Sequence, residues 1–125
     1  MESRLRHKKT GWTIEKHAKA VASELEIDAV GLWQVVPYVR DGFGVEGEAL
    51  DELLRYYLLV LFAEGAMPVV GRYGVDHWIL KHDYGDTPEE MAASIVAEWR
   101  ASGAGYPKPY DSLWFALPKM FKAEI

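Results

Sequence analysis

The chain has 125 residues, half of them apolar, 13% aromatic and 26% charged, with a net charge of −5 and no Cys. These values describe one ordinary folded domain and exclude a disordered or fibrous chain. Without Cys there is no disulfide framework, thiolate zinc site, iron–sulfur cluster or Cys nucleophile, which fits a reducing cytoplasm.

The charge is unevenly spread. Over residues 1–20, Arg4, Arg6, Lys8, Lys9, Lys16 and Lys19 face Glu2 and Glu15, a balance of +4, so the remainder carries −9. An acidic body repels nucleic acid and anionic lipid. The basic start reads as a flexible arm over residues 1–11, in front of a single domain that fills the chain. Its alternative role is to contact phosphate through Arg4, Arg6, Lys8 and Lys9. No apolar run follows these charges, so the segment does not read as a secretory signal. The longest apolar stretch, residues 56–63, falls far short of the roughly 20 residues of a membrane span.

Taken in chain order, the first helix is expected to start after Thr13, a good N-cap. Ile14, Ala18, Val21, Ala22 and Leu25 then recur on one face. Asp28 reads as a second cap, before a helix through Leu32, Val35 and Val36 that Pro37 either kinks or ends. A glycine-rich turn over residues 41–44 leads to the strongest helical pattern, residues 46–64. Leu50, Leu53, Leu54, Tyr57, Leu58 and Leu61 form its apolar face, and Gly65 closes it. Runs at 67–70 and 77–82, joined through Gly71 and Gly74, suggest a hairpin. Thr87, Pro88 and Glu90 form a capping-box start for a helix carrying Ala92, Ile95, Val96 and Trp99. The run 113–117 reads as a short strand, stopped by Pro118.

The fold class is therefore α+β: a helical N-terminal half, a β-hairpin, a further helix and a short C-terminal strand. Three helices followed by a two-stranded wing also match the element order of a winged-helix domain. In that arrangement the 46–64 helix would read DNA, but Glu46, Glu48, Asp51 and Glu52 crowd its first turns with only Arg55 positive nearby.

Most candidate chemistry fails on physical grounds. Gly42-Phe43-Gly44-Val45-Glu46-Gly47 has the G-x-G-x-x-G spacing, but no strand is expected before it, and acidic residues sit where a pyrophosphate would bind. Asp76, His77, His82 and Asp83 could form a polar site near the hairpin. On a regular strand, however, His77 and His82 face opposite sides, about 17 Å apart. His17 falls beside Trp12 on the flank of the first helix. No nucleophile elbow and no H-E-x-x-H spacing occurs. No catalytic residue, metal ligand or cofactor is assigned. The aromatic and apolar residues Phe43, Tyr56, Leu59, Phe62 and Tyr73 are the expected interaction surface, with Tyr106 and Tyr110 also in turns.

Residues 65–71 (Gly-Ala-Met-Pro-Val-Val-Gly), Thr87-Pro88-Glu89-Glu90 with Ile95 and Glu98-Trp99, and Pro107-x-Pro109-x-Asp111 followed by Trp114-Phe115 resemble a group of small bacterial proteins with a P-E-E…I…E-W…P-x-P-x-D…W-F tail. The likeness covers about the last half of the chain. It implies shared structural motifs and a natural domain, and it brings no activity or site residue with it.

The expectation that follows is a non-enzymatic cytoplasmic binding or regulatory protein. Its partner would be another protein, for example a basic toxin domain that it neutralises or adapts, or a second copy of the chain. A nucleic-acid regulator using the basic arm, and a small enzyme or ligand binder with a pocket near the hairpin, are the alternatives.

Overall fold

The computed structural model describes residues 4–71, 78–109 and 113–120. Four helices, α1 (Ile14–Ser23), α2 (Leu32–Phe43), α3 (Gly47–Ala63) and α4 (Pro88–Ala101), pack beside one antiparallel sheet. Its strands are β1 (Val30–Gly31), β2 (Met67–Gly71), β3 (Trp78–Leu80) and β4 (Trp114–Ala116), in the order β1-β4-β2-β3. The α+β class and the sequence of helices, hairpin, helix and strand agree with the sequence analysis. The central pairing does not come from local hairpins alone. β4, arriving from beyond α4, pairs with β1 on one side and β2 on the other.

Side-chain hydrogen bonds mark the starts of α1, α2 and α4. Thr13 accepts the Lys16 N–H at 3.1 Å. Thr87 and Glu90 form the reciprocal capping box, with the Glu90 N–H donating to Thr87 Oγ1 and the Thr87 N–H to Glu90 Oε1, both at 3.1 Å. The cap of α2 differs from the sequence expectation. Asp28 only accepts the N–H of Ala29, while Gly31 is the N-cap and its N–H donates to the Gln34 side chain at 2.8 Å. Pro37 does not end this helix either. It removes one backbone bond, at a cost of about 3 kcal/mol. Val35, Val36, Val39 and Phe43 are all buried, and each side chain returns about 1.5–3 kcal/mol. Burial outweighs the proline, and α2 runs on to Phe43.

α3 is the hub, packing against α1, α2 and α4. Its residues Leu50, Leu54, Tyr57, Leu58 and Leu61 are at most 1% exposed. Phe62 meets Phe115 of β4 edge-on with ring centroids 5.9 Å apart, which ties the helical layer to the sheet. Alternation along the strands then divides the sheet. Val30, Phe115 and Pro68 stand in register and are buried, with Val30 and Phe115 in the main core. The next register row, Trp114, Val69 and Leu80, points the other way. There Val69 and Ala116 form a smaller cluster with Met67, Trp78, Trp114 and Met120. Trp114 lies 5.1 Å from Trp78 and 6.1 Å from Trp33, centroid to centroid. Among the described residues, no helix is long and apolar enough to cross a membrane.

Candidate functional site

Two constellations stand out. The first is buried beneath the N-terminal segment. Instead of forming a free arm, this segment folds back onto α2. The His7 N–H donates to the Trp12 carbonyl, the Lys8 N–H to the Gly42 carbonyl and the Gly11 N–H to the His7 carbonyl, each at 2.8 Å. The side chain responsible is His7, 7% exposed, which stacks on His17 with centroids 4.1 Å apart and 18° between planes. Phe43 sits edge-on to both imidazoles, and Tyr38 edge-on to His17. The ring fits because Gly42 carries no side chain: a Cβ there would overlap Nε2 of His7. In the described part of the arm expected over residues 1–11, these hydrogen bonds and the buried His7 contact tie the chain to α1 and α2.

Within this cluster His17 Nδ1 and the Tyr57 hydroxyl are 2.7 Å apart. His7 Nδ1 accepts the Lys9 N–H at 3.2 Å, and His7 Nε2 is buried with no hydrogen-bonding partner among the described residues. Burial and then the neighbouring His7 push the His17 pKa down to about 4. His7 is lowered as well, first by burial and further by Lys9, against a raising effect of the Tyr38 main chain. Burial raises the Tyr57 hydroxyl. At neutral pH the three groups are uncharged and enclosed. Their rings pack together in the interior, where they join the N-terminal segment to α1, α2 and α3.

The second constellation is open. A cleft of about 270 Å³ lies at the C-terminal end of α4, with Leu32, Ile95 and Leu113 at its base and Glu98, Tyr106 and Pro107 at its rim. Tyr106 is 56% exposed, one of the large apolar side chains that the fold leaves in solvent. The rim is held in place. Arg40 donates through Nε and Nη2 to both Glu46 oxygens at 2.8 and 2.9 Å, and through Nη1 to the Ala104 carbonyl at 2.9 Å. Trp99 Nε1 donates to the Gly105 carbonyl at 2.8 Å, and the Tyr106 hydroxyl to Asp41 Oδ1 at 2.7 Å. Ala104 takes a left-handed conformation (φ 53°) within this turn. The Arg40 guanidinium lies 5.5 Å from the Trp99 ring and 5.1 Å from Tyr106. Glu98 accepts the Tyr84 hydroxyl on Oε1 at 2.7 Å. Burial, followed by this carboxylate, raises the Tyr84 hydroxyl.

The residues expected from sequence are scattered. Phe43 and Phe62, expected on an interaction surface, are 5% and 8% exposed and lie in the core. Both follow the buried stripes of their helices into the interhelical space. Tyr56 and Leu59 are half-buried and pack against that core. Tyr73, Asp76, His77 and Tyr110 lie outside the described residues. His82 and Asp83 are exposed, and Asp83 pairs with Lys81 at 3.2 Å, which lowers its pKa. The cleft lies at the end of α4, away from the position beside the hairpin where a pocket was expected. Arg4, Arg6, Lys8 and Lys9 are exposed around the buried His7. Gly42 lies inside α2 and Gly44 caps it, so no strand precedes the glycine-rich turn. No group of three His, Asp or Glu that could hold a metal occurs among the described residues.

Sequence reasoning missed the His7–His17–Tyr57 cluster and the cleft. Tyr106 was legible as an aromatic in a turn, whereas Glu98 carried no signal beyond its place on the outer side of a helix. No family model, no curated protein and no solved structure matches the chain.

Proposed function

We propose that this protein is a non-enzymatic binding or regulatory protein whose partner is a basic protein, engaged at the cleft at the end of α4. The observation that carries this reading is the combination at one rim of an exposed, hydrogen-bonded tyrosine and a carboxylate, on a chain of net charge −5. Tyrosines held rigid beside a small pocket are typical anchors of protein interfaces. Acidic charge steers a basic partner toward them. Among the described residues, the His7–His17–Tyr57 groups are buried in the core, and Asp83 near the hairpin is paired with Lys81. Neither supports an enzyme.

A native pull-down from host lysate, with and without nuclease, tests the reading. A stoichiometric basic protein that survives nuclease and is lost with Tyr106→Ala supports it. A partner set that vanishes with nuclease supports instead a nucleic-acid role for Arg4, Arg6, Lys8 and Lys9. Retention unchanged by Tyr106→Ala refutes the assignment to the cleft.

A further inference from the structure

Size, shape and charge together restrict what the cleft can hold. Pockets that enclose a whole drug-sized ligand run to about 300–1,000 Å³. At about 270 Å³ and open to solvent on one side, this one is matched to a single side chain. Its base is aliphatic, from Leu32, Ile95 and Leu113, and its rim offers the Tyr106 ring and one carboxylate. Among the described residues Glu98 makes no ion pair, and one of its oxygens is fixed by Tyr84. The two nearby guanidinium groups are committed elsewhere, Arg40 to Glu46 and Ala104 and Arg100 to Asp51 and Gly47. Neither of them pairs with Glu98.

The same corner also shows which cation its rings accept. Trp99 and Tyr106 already carry the Arg40 guanidinium within cation–π range, at 5.5 and 5.1 Å, and Trp99 carries that of Arg100 at 5.0 Å. A flat, weakly hydrated guanidinium stacks on aromatic faces and pairs with carboxylates, whereas a compact ammonium keeps its water.

We propose that the cleft receives an arginine side chain of the protein partner, its guanidinium on Glu98 and against Tyr106 and its methylene stem over Leu32, Ile95 and Leu113. This rests on the binding reading above and adds the chemical identity of the anchor. The partner's arginine meets a carboxylate already oriented by Tyr84 and a ring already held by Asp41, so little ordering is left to oppose binding.

The test is an NMR titration of the full ¹⁵N-labelled chain with acetyl-Gly-Arg-Gly-amide, and with its lysine and citrulline counterparts. The expected result is a set of shifts centred on the Trp99 indole and the amides of Glu98, Gly105 and Tyr106. Binding should weaken at least about tenfold for citrulline and for Glu98→Gln, the size of one charge-assisted contact. Glu98→Gln keeps an oxygen for Tyr84, so it removes charge without removing that bond. Glu89→Gln, an exposed carboxylate at the opposite end of α4, should change affinity by less than about twofold, as a screened surface charge does. Shifts spread over the acidic surface with equal sensitivity to the two variants would overturn the proposal. So would equal binding of the citrulline peptide, and equal binding of the lysine peptide would remove the guanidinium assignment. A pull-down partner whose retention ignores Glu98→Gln would leave the binding reading standing and reject the arginine anchor alone.

Discussion

Acidification from pH 7 to pH 4 is expected to remove about 3 kcal/mol of stability through His17. The residue is 7% exposed, stacked on His7 and joined to the Tyr57 hydroxyl. Its pKa falls from the ordinary 6.5 to about 4 in the folded state, through burial first and the neighbouring His7 second. The native structure therefore holds the neutral ring, and the unfolded chain takes up the proton first. Stability is at its full value above about pH 6.5 and is lost as pH falls towards 4. At about 1.4 kcal/mol per pH unit, that interval amounts to about 3 kcal/mol. This is a large part of the 5–15 kcal/mol typical of a domain. His7, lowered for the same first reason, adds in the same direction. Glu24 acts oppositely, because burial raises its carboxyl and the folded state then binds that proton more readily. The assay is urea unfolding at half-unit pH steps for the native chain and for His17→Gln. The difference between the two curves isolates His17, and it should shrink steadily between pH 6.5 and 4. A difference that stays flat across that range would refute the reasoning. So would an NMR titration placing the His17 ring at its ordinary pKa.

Three further outcomes follow from the packing. Gly42→Ala should displace His7 and free the N-terminal segment, at a cost of about 1–3 kcal/mol for an overfilled site; hydrogen exchange would show faster exchange at the Lys8 and Gly11 amides, with α3 still protected. Phe115→Ala should cost about 3–5 kcal/mol, because the ring is fully buried where the sheet meets Phe62 of α3; a loss below about 1 kcal/mol in denaturant would contradict that placement. Thr87→Ala removes the side-chain acceptor of the Glu90 N–H and should cost about 0.5–2 kcal/mol, read as a lower melting temperature with an unchanged circular dichroism spectrum at 25 °C.

The binding reading and the pH prediction concern separate groups of side chains that share α2. The cleft has Leu32 from the start of the helix in its lining and its Tyr106 tied to Asp41, while the histidine cluster closes over Gly42 and Phe43. Glu98→Gln and His17→Gln should therefore act independently. Each makes a control for the other in binding and stability assays.

What the sequence determined by itself was local. The caps at Thr13 and Thr87, the buried stripes of α1, α3 and α4, the end of α3 at Gly65 and the short strand before Pro118 each depend on residues within one or two turns of each other. Capping chemistry and helical periodicity are written at that range. What the tertiary structure alone decided was set by contacts between distant segments. α2 continues through Pro37 because its later residues find a core to fill. β1 is a two-residue strand with no pattern of its own, and it exists because β4 supplies Phe115 and Trp114 as partners. Phe43 and Phe62 sit at the ends of the buried stripes of α2 and α3, and which partners close over them, the histidines for Phe43 and Phe115 of the sheet for Phe62, is set by the tertiary fold. His7 and His17 are ten residues apart with a tight turn between them, and Tyr57 lies 40 residues beyond His17. Only folding brings the three rings together. The cleft likewise joins the start of α2, the last turns of α4 and Leu113 before β4. A cleft built from separate segments leaves no spacing for a sequence reading to detect.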